Sequence, residues 1–135
     1  MPSTARSRQS PQAYPPSLIV YAKLSGSKTV LLRLLIDTGA TYTMIPVKAA
    51  LAIGCDPSLA ARRIPLVTVS AVEYTPLVTI PSLSCLGHHA RNIDVACHDL
   101  PPQSAVDGLL GLNVLVHLPM FARFLDSVRS YLIQA

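Results

Sequence analysis

One acid stands among the first 53 positions of the chain, Asp37, and it follows directly on the apolar run Leu34-Leu35-Ile36. A carboxylate there costs free energy unless it is exposed, paired or used. It opens the triplet Asp37-Thr38-Gly39, continued by Ala40 and Thr41. A carboxylate held in a glycine turn can serve as a general base towards water. It can equally do no chemistry and cap the backbone of its own β-turn. A second glycine-bearing stretch, Val106-Asp107-Gly108-Leu109-Leu110-Gly111, lies further along and weighs against the capped turn.

Other reactive side chains are less well arranged. Cys85, His88, His89, Cys97 and His98 are zinc-ligand types crowded into one short segment, but their spacing matches no closed Cys/His site. A hairpin with its tip near Gly87 explains the cluster without a metal. No cysteine has a neighbour that would activate it as a nucleophile. Neither a metal nor a cofactor is expected. The chain has three cysteines, an odd number at irregular spacing, so no disulfide framework is implied. Net charge is +4, yet the basic residues are scattered, with two Phe and no Trp, which argues against nucleic acid. The pair Arg62-Arg63 reads as solvated. No apolar stretch reaches the roughly 18 residues of a membrane span, and the N-terminal segment does not resemble a signal peptide. A reducing cytoplasm is the expected compartment.

The elements that must position Asp37 follow from texture. Residues 1–16, rich in Pro, Ser, Gln and Arg, read as a disordered tail, and 17–135 as one folded domain. Short runs with many β-branched residues at 17–24, 29–36, 64–70, 73–80, 91–98 and 130–133 read as strands. Ser25-Gly26-Ser27 is a turn, and Leu86-Gly87-His88-His89 a second. Two short helices are predicted, one after Pro46 ending at Gly54, the other over 112–118 ended by Pro119. The fold class is therefore all-β with two short helices. Strand, glycine turn and helix occur in that order at 34–54 and again at 105–118. Half of the residues are hydrophobic and 13% are charged, an apolar excess that points to a subunit interface.

With its flanking residues, Asp37-Thr38-Gly39-Ala40-Thr41, together with the loop at 106–111, resembles the retropepsin-like aspartic proteases, in particular their small single-domain bacterial group. The resemblance runs from about Ser17 to Ile133. It implies an acid-protease half, a closed β-barrel completed as a homodimer, with Asp37 catalytic. Metal-free peptide hydrolysis needs both a base for water and an acid for the carbonyl oxygen, and two carboxylates sharing one proton supply both. One copy of the triplet then requires a second chain, with Asp37 meeting its mate on a two-fold axis. Thr38 is expected to lock the two loops together, and Gly39 to let backbone N–H groups reach the carboxylate. Ala40 stands where many two-lobed relatives carry a hydroxyl. Gly108 and Gly111 would let the second loop pack close to the catalytic turn.

A flap over the substrate is expected in 64–80, with Ser70, Ala71, Val72 and Glu73 at its tip. Family flap tips usually carry glycine where this chain has Ala71, and Ser130 stands where the last strands of relatives have one. The implied function is an aspartic endopeptidase acting on extended peptide or unfolded protein. The alternative is a catalytically weak or inactive dimeric module of the same fold for peptide binding or assembly, which Ala71 favours.

Overall fold

Side-chain alternation builds the first wall of the fold. Strand β1 (Ile19–Ser25) turns Ala22 and Leu24 inward, both fully buried, and leaves Tyr21 and Lys23 outside. Strand β2 (Thr29–Ile36) does the same with Leu32 and Leu34 against Leu31 and Arg33. The two pair antiparallel from Ile19↔Leu35 to Ser25↔Thr29 around the expected Gly26 turn. A period of two with one face apolar is what a half-buried strand requires. The computed structural model describes residues 18–67 and 69–134. The expected tail at 1–16 lies outside the described residues.

The chain continues through β3 (Thr43–Ile45), α1 (Val47–Ala52), β4 (Arg62–Val67), β5 (Val72–Cys85), β6 (His88–Cys97) and β7 (Gly108–Leu110). Two further helices close it, α2 (Leu112–Leu115) and α3 (Pro119–Gln134). Strand order is β1-β2-β7-β3-β6-β5-β4, and β1 also pairs with β5 at Lys23↔Ser84 to Ser25↔Ser82. That extra pairing closes six strands into a barrel and leaves β4 outside it, its backbone ladder made with β5 alone among the described strands. The pairs β2–β7 and β3–β6 are parallel and the others antiparallel. Inside the barrel Leu24, Leu34, Ile45, Ile80, Leu83, Val95 and Leu110 are essentially inaccessible, with Val114 and Leu115 of α2 packed on them. Burying each such side chain contributes about 1.5–3 kcal/mol.

The closed β-barrel expected from the sequence is present, and its turns fall where predicted. The β5–β6 hairpin turns on Leu86 and Gly87, both at positive φ (49° and 74°), as a two-residue primed turn demands. Strand β3 is too short to show alternation and was not foreseen. The C-terminal segment corrects the sequence reading. Residues 130–133, expected as a strand, belong to the 16-residue helix α3, so the described residues hold three α-helices rather than two. Pro119 does not end the second helix, which stops at Leu115; it opens the third. A proline in the first helical position loses no hydrogen bond, since that N–H has no intrahelical acceptor. From Phe121 the apolar residues Phe124, Leu125, Val128 and Leu132 then recur at helical spacing.

Candidate active site

Asp37 is the first residue beyond β2, and its backbone is fixed from the neighbouring strand: its N–H donates to the Leu110 carbonyl at 3.0 Å. The chain then turns tightly. Gly39 N–H donates to Asp37 Oδ1 at 2.9 Å, and Ala40 N–H to the Asp37 carbonyl at 3.2 Å. Asp37 and Ala40 are half-buried, while Thr38 and Gly39 are exposed. The acid is thus held rigidly by its own turn at the surface of the single chain.

Beneath it lies the second glycine loop. Leu112 N–H donates to the Ala40 carbonyl (2.8 Å) and Asn113 N–H to the Thr41 carbonyl (3.2 Å), so α2 begins directly under the turn. Approach this close leaves no room for side chains. A Cβ on Gly111 would sit 2.6 Å from the Tyr42 carbonyl oxygen and 2.8 Å from that of Ala40, and one on Gly108 would collide with the Met44 carbonyl. Glycine is required at both positions by backbone contact. Asp107 is bound to the wall: its carboxylate accepts from Arg33 N–H at 2.8 Å, and its own N–H donates to the Arg33 carbonyl at 2.8 Å. The repeated strand–turn–helix pattern corresponds to β2 and β7 side by side, each handing over to a turn that braces the other.

Sequence reasoning missed the polar network that ties these turns together. Thr43, fully buried, accepts from Gly111 N–H at 3.0 Å and donates to Asn113 Oδ1 at 3.1 Å. Asn113 Oδ1 also accepts from Thr43 N–H (2.8 Å), while its amide donates to the Asp94 carbonyl at 2.6 Å. The signal available was a threonine between two apolar residues, Tyr42 and Met44, in a segment that must be buried.

Strands β4 and β5 form the expected hairpin, in register from Arg62↔Leu77 to Val67↔Val72. Ser70, Ala71, Val72 and Glu73 lie at its exposed tip. Among the described residues only Leu86 and Asn92 are non-glycines at positive φ, so Ala71 occupies backbone space open to any side chain. Between the Asp37 loop and the hairpin runs a cleft of about 370 Å³ lined by Gly39, Ala40, Tyr42, Met44, Ile64 and Leu66. The hairpin contributes to it through its middle, Ile64 to Leu66 and Thr75, rather than through Ser70 to Glu73. Tyr42 and Met44 line this cleft, and Met44 is also buried.

Arg62, expected to be solvated, is ion-paired. Its guanidinium reaches across β5 to Asp94 on β6 at 2.8 Å, and Thr79 donates to the other Asp94 oxygen at 2.6 Å. The Thr79 hydroxyl first, and the guanidinium second, hold the Asp94 carboxyl below the usual carboxylate range. The cysteines are all free, and burial pushes the Cys97 thiol up to about 12, with Cys55 and Asp99 adding to it. No cluster of three or more His, Cys, Asp or Glu able to hold a metal occurs among the described residues. No described helix is long and apolar enough to cross a membrane.

An acid held on a glycine turn, braced from below by a second glycine turn and faced by a hairpin across a cleft, is what one half of an aspartic protease provides. The chain belongs to the aspartyl protease family, whose model matches residues 20–114, from β1 through both glycine turns into α2. Among solved structures it resembles a retropepsin-like aspartic protease from Rickettsia conorii. The two share 18% identity with a TM-score of 0.59 over 76% of this chain and 73% of that one, a likeness of fold. None of the curated proteins compared matches the chain.

Proposed function

We propose that the protein is an aspartic endopeptidase, catalytically complete only as a homodimer in which Asp37 of each chain supplies one half of a dyad. The observation that carries this reading is the lone Asp37 in its hydrogen-bonded turn. That turn is fixed on its barrel side by Leu110 and Leu112, and its carboxylate has no acidic partner among the described residues of the loop. In the dimer one Asp37 takes a proton from water, whose oxygen attacks the scissile carbonyl carbon. The mate donates its proton to the carbonyl oxygen, giving a tetrahedral diol with no acyl-enzyme. Collapse of the diol returns a hydroxyl proton to the ionised carboxylate and breaks the C–N bond as the amine nitrogen takes the proton held by the other carboxyl.

The substrate lies extended between the hairpin and the Asp37 loop, adding a strand to exposed backbone. Tyr42, Met44, Ile64 and Leu66 make the cleft suited to an apolar side chain next to the scissile bond.

The test is cleavage of an unfolded protein across about pH 3 to 7, with a bell-shaped profile expected because the dyad works with one proton of two. Asp37→Asn removes base and acid from both subunits at once and is expected to lower the rate about a thousandfold or more. An Asp37→Asn protein as active as the wild type ends this reading. Wild-type protein that dimerises and binds peptides but cleaves none at any pH establishes the binding module instead.

A further inference from the structure

Helix α3 leaves the barrel with an apolar face that the other described residues do not cover. Met120, Phe124 and Leu132 are 65%, 59% and 66% exposed, and Val128 is exposed as well. Large apolar side chains of one helix left in water forgo the free energy of burial, and contiguous apolar surface of this kind marks an interaction site. At its base this face runs into an open groove of about 410 Å³, walled by Leu18, Ile36, Thr38, Leu118, Phe121 and Phe124. Thr38 is the sole polar side chain in that wall.

Ile36 and Thr38 are the two neighbours of Asp37. A two-fold axis that brings Asp37 to its mate also brings the residues flanking it to face their own copies. The mouth of the groove therefore lies in the same contact as the dyad. Residues 119–134, being helical, offer no strand to a partner's sheet.

We propose that the groove and the exposed face of α3 form the subunit interface, each chain seating its helix against the apolar groove of the other. The proposal rests on the dyad reading above and adds to it where the dimer is held together. Phe124 and Phe121, with ring centroids 6.3 Å apart, are its aromatic anchors. A lipid surface is the competing occupant for an amphipathic helix. Continuity of the groove with the Asp37 loop favours a second copy, because a membrane at that mouth would cover the cleft edge.

Sedimentation of the full chain over a range of concentrations tests this, using Phe124→Glu and Leu132→Glu. Both side chains are exposed, so the barrel keeps its core, and far-ultraviolet circular dichroism checks that it does. Leu59→Glu, at a position 80% exposed and outside the groove, is the control. The expected result is a wild-type dimer whose dissociation constant rises at least about thirtyfold in each α3 variant, since symmetry places each charge in the interface twice. The control should match the wild type. A wild-type dimer unaffected by either α3 change overturns the interface and leaves the dyad standing. A monomeric wild type that still cleaves overturns both. A monomeric wild type that sediments with phosphatidylcholine–phosphatidylglycerol vesicles, and loses them with Phe124→Glu, assigns the face to a membrane and overturns the proposal.

Discussion

Thr43 stands at the point where both glycine turns meet, and its hydroxyl satisfies the buried Gly111 N–H and the half-buried Asn113 Oδ1. Replacing it with valine keeps the shape but leaves Gly111 N–H without its acceptor and Asn113 Oδ1 with one donor fewer. A buried donor left unpaired costs about 1–3 kcal/mol. Thr43→Val is therefore expected to lower unfolding stability by that amount in a urea titration, and Thr43→Ser to recover most of it. Equal stability of the valine and threonine proteins would show that the network is not holding α2. Activity should fall further than stability alone explains, because Leu112 and Asn113 are what brace the Asp37 turn from below. Cysteine reactivity is a second expectation at this scale. Cys97, nearly inaccessible and with its thiol pushed up to about 12, stays protonated and shielded at neutral pH, while half-buried Cys55 is more accessible. Mass spectrometry after brief alkylation at neutral pH should find label on Cys55 before Cys97; the reverse order contradicts the burial described.

Strand β4 hangs outside the closed barrel, so what ties the hairpin to the body decides how freely it moves. Apart from the β4–β5 ladder, Arg62 bridges it to Asp94 on β6, with Thr79 of β5 between. The folded carboxyl of Asp94 lies below its unfolded value, so the folded state binds its proton more weakly. Its contribution is present above the unfolded range near pH 4 and is lost as pH falls through the lower folded value. Asp94 is one-third exposed, so solvent screening keeps the effect small. The thermal midpoint of Asp94→Asn should accordingly lie slightly below wild type at pH 7, and the gap should close as acid is added. A gap that widens on acidification contradicts the sign.

The hairpin, its register partner runs and the β5–β6 turn were legible in the sequence because period-two alternation and a Gly-bearing turn are local signals. Arg62 and Asp94 were not, since they sit on different strands and nothing in either segment announces the other. Helix α3 was missed for a related reason: the short run at 130–133 looks like a strand by itself, and only the longer spacing from Phe121 to Leu132 reveals a helix. In the same way Asp37, Gly108 and Gly111 could be singled out from their motifs, whereas Asn113 gains its meaning only when β3 and α2 are brought together.

For the whole molecule, part of the apolar excess read from composition lies on the face of α3 and the groove beside Asp37. Dimerisation there, as proposed above, would set two opposing demands on one residue. Burial of apolar surface draws the chains together, while the dyad forces two carboxylates to within a few ångströms, where both cannot carry charge without repulsion. At neutral pH the pair must either take up a proton or bear that repulsion, and either choice weakens association. Asp37→Asn abolishes the conflict and leaves every apolar contact in place. The Asp37→Asn dimer is therefore expected to be tighter than the wild type at pH 7. The difference should diminish as the solution is acidified, because protonation supplies the wild type with what the amide already has. Sedimentation equilibrium of both proteins at several pH values measures this. A wild-type dimer at least as tight as the variant throughout would mean that the two Asp37 side chains do not meet, and the dyad would have to be abandoned even if the chains associate.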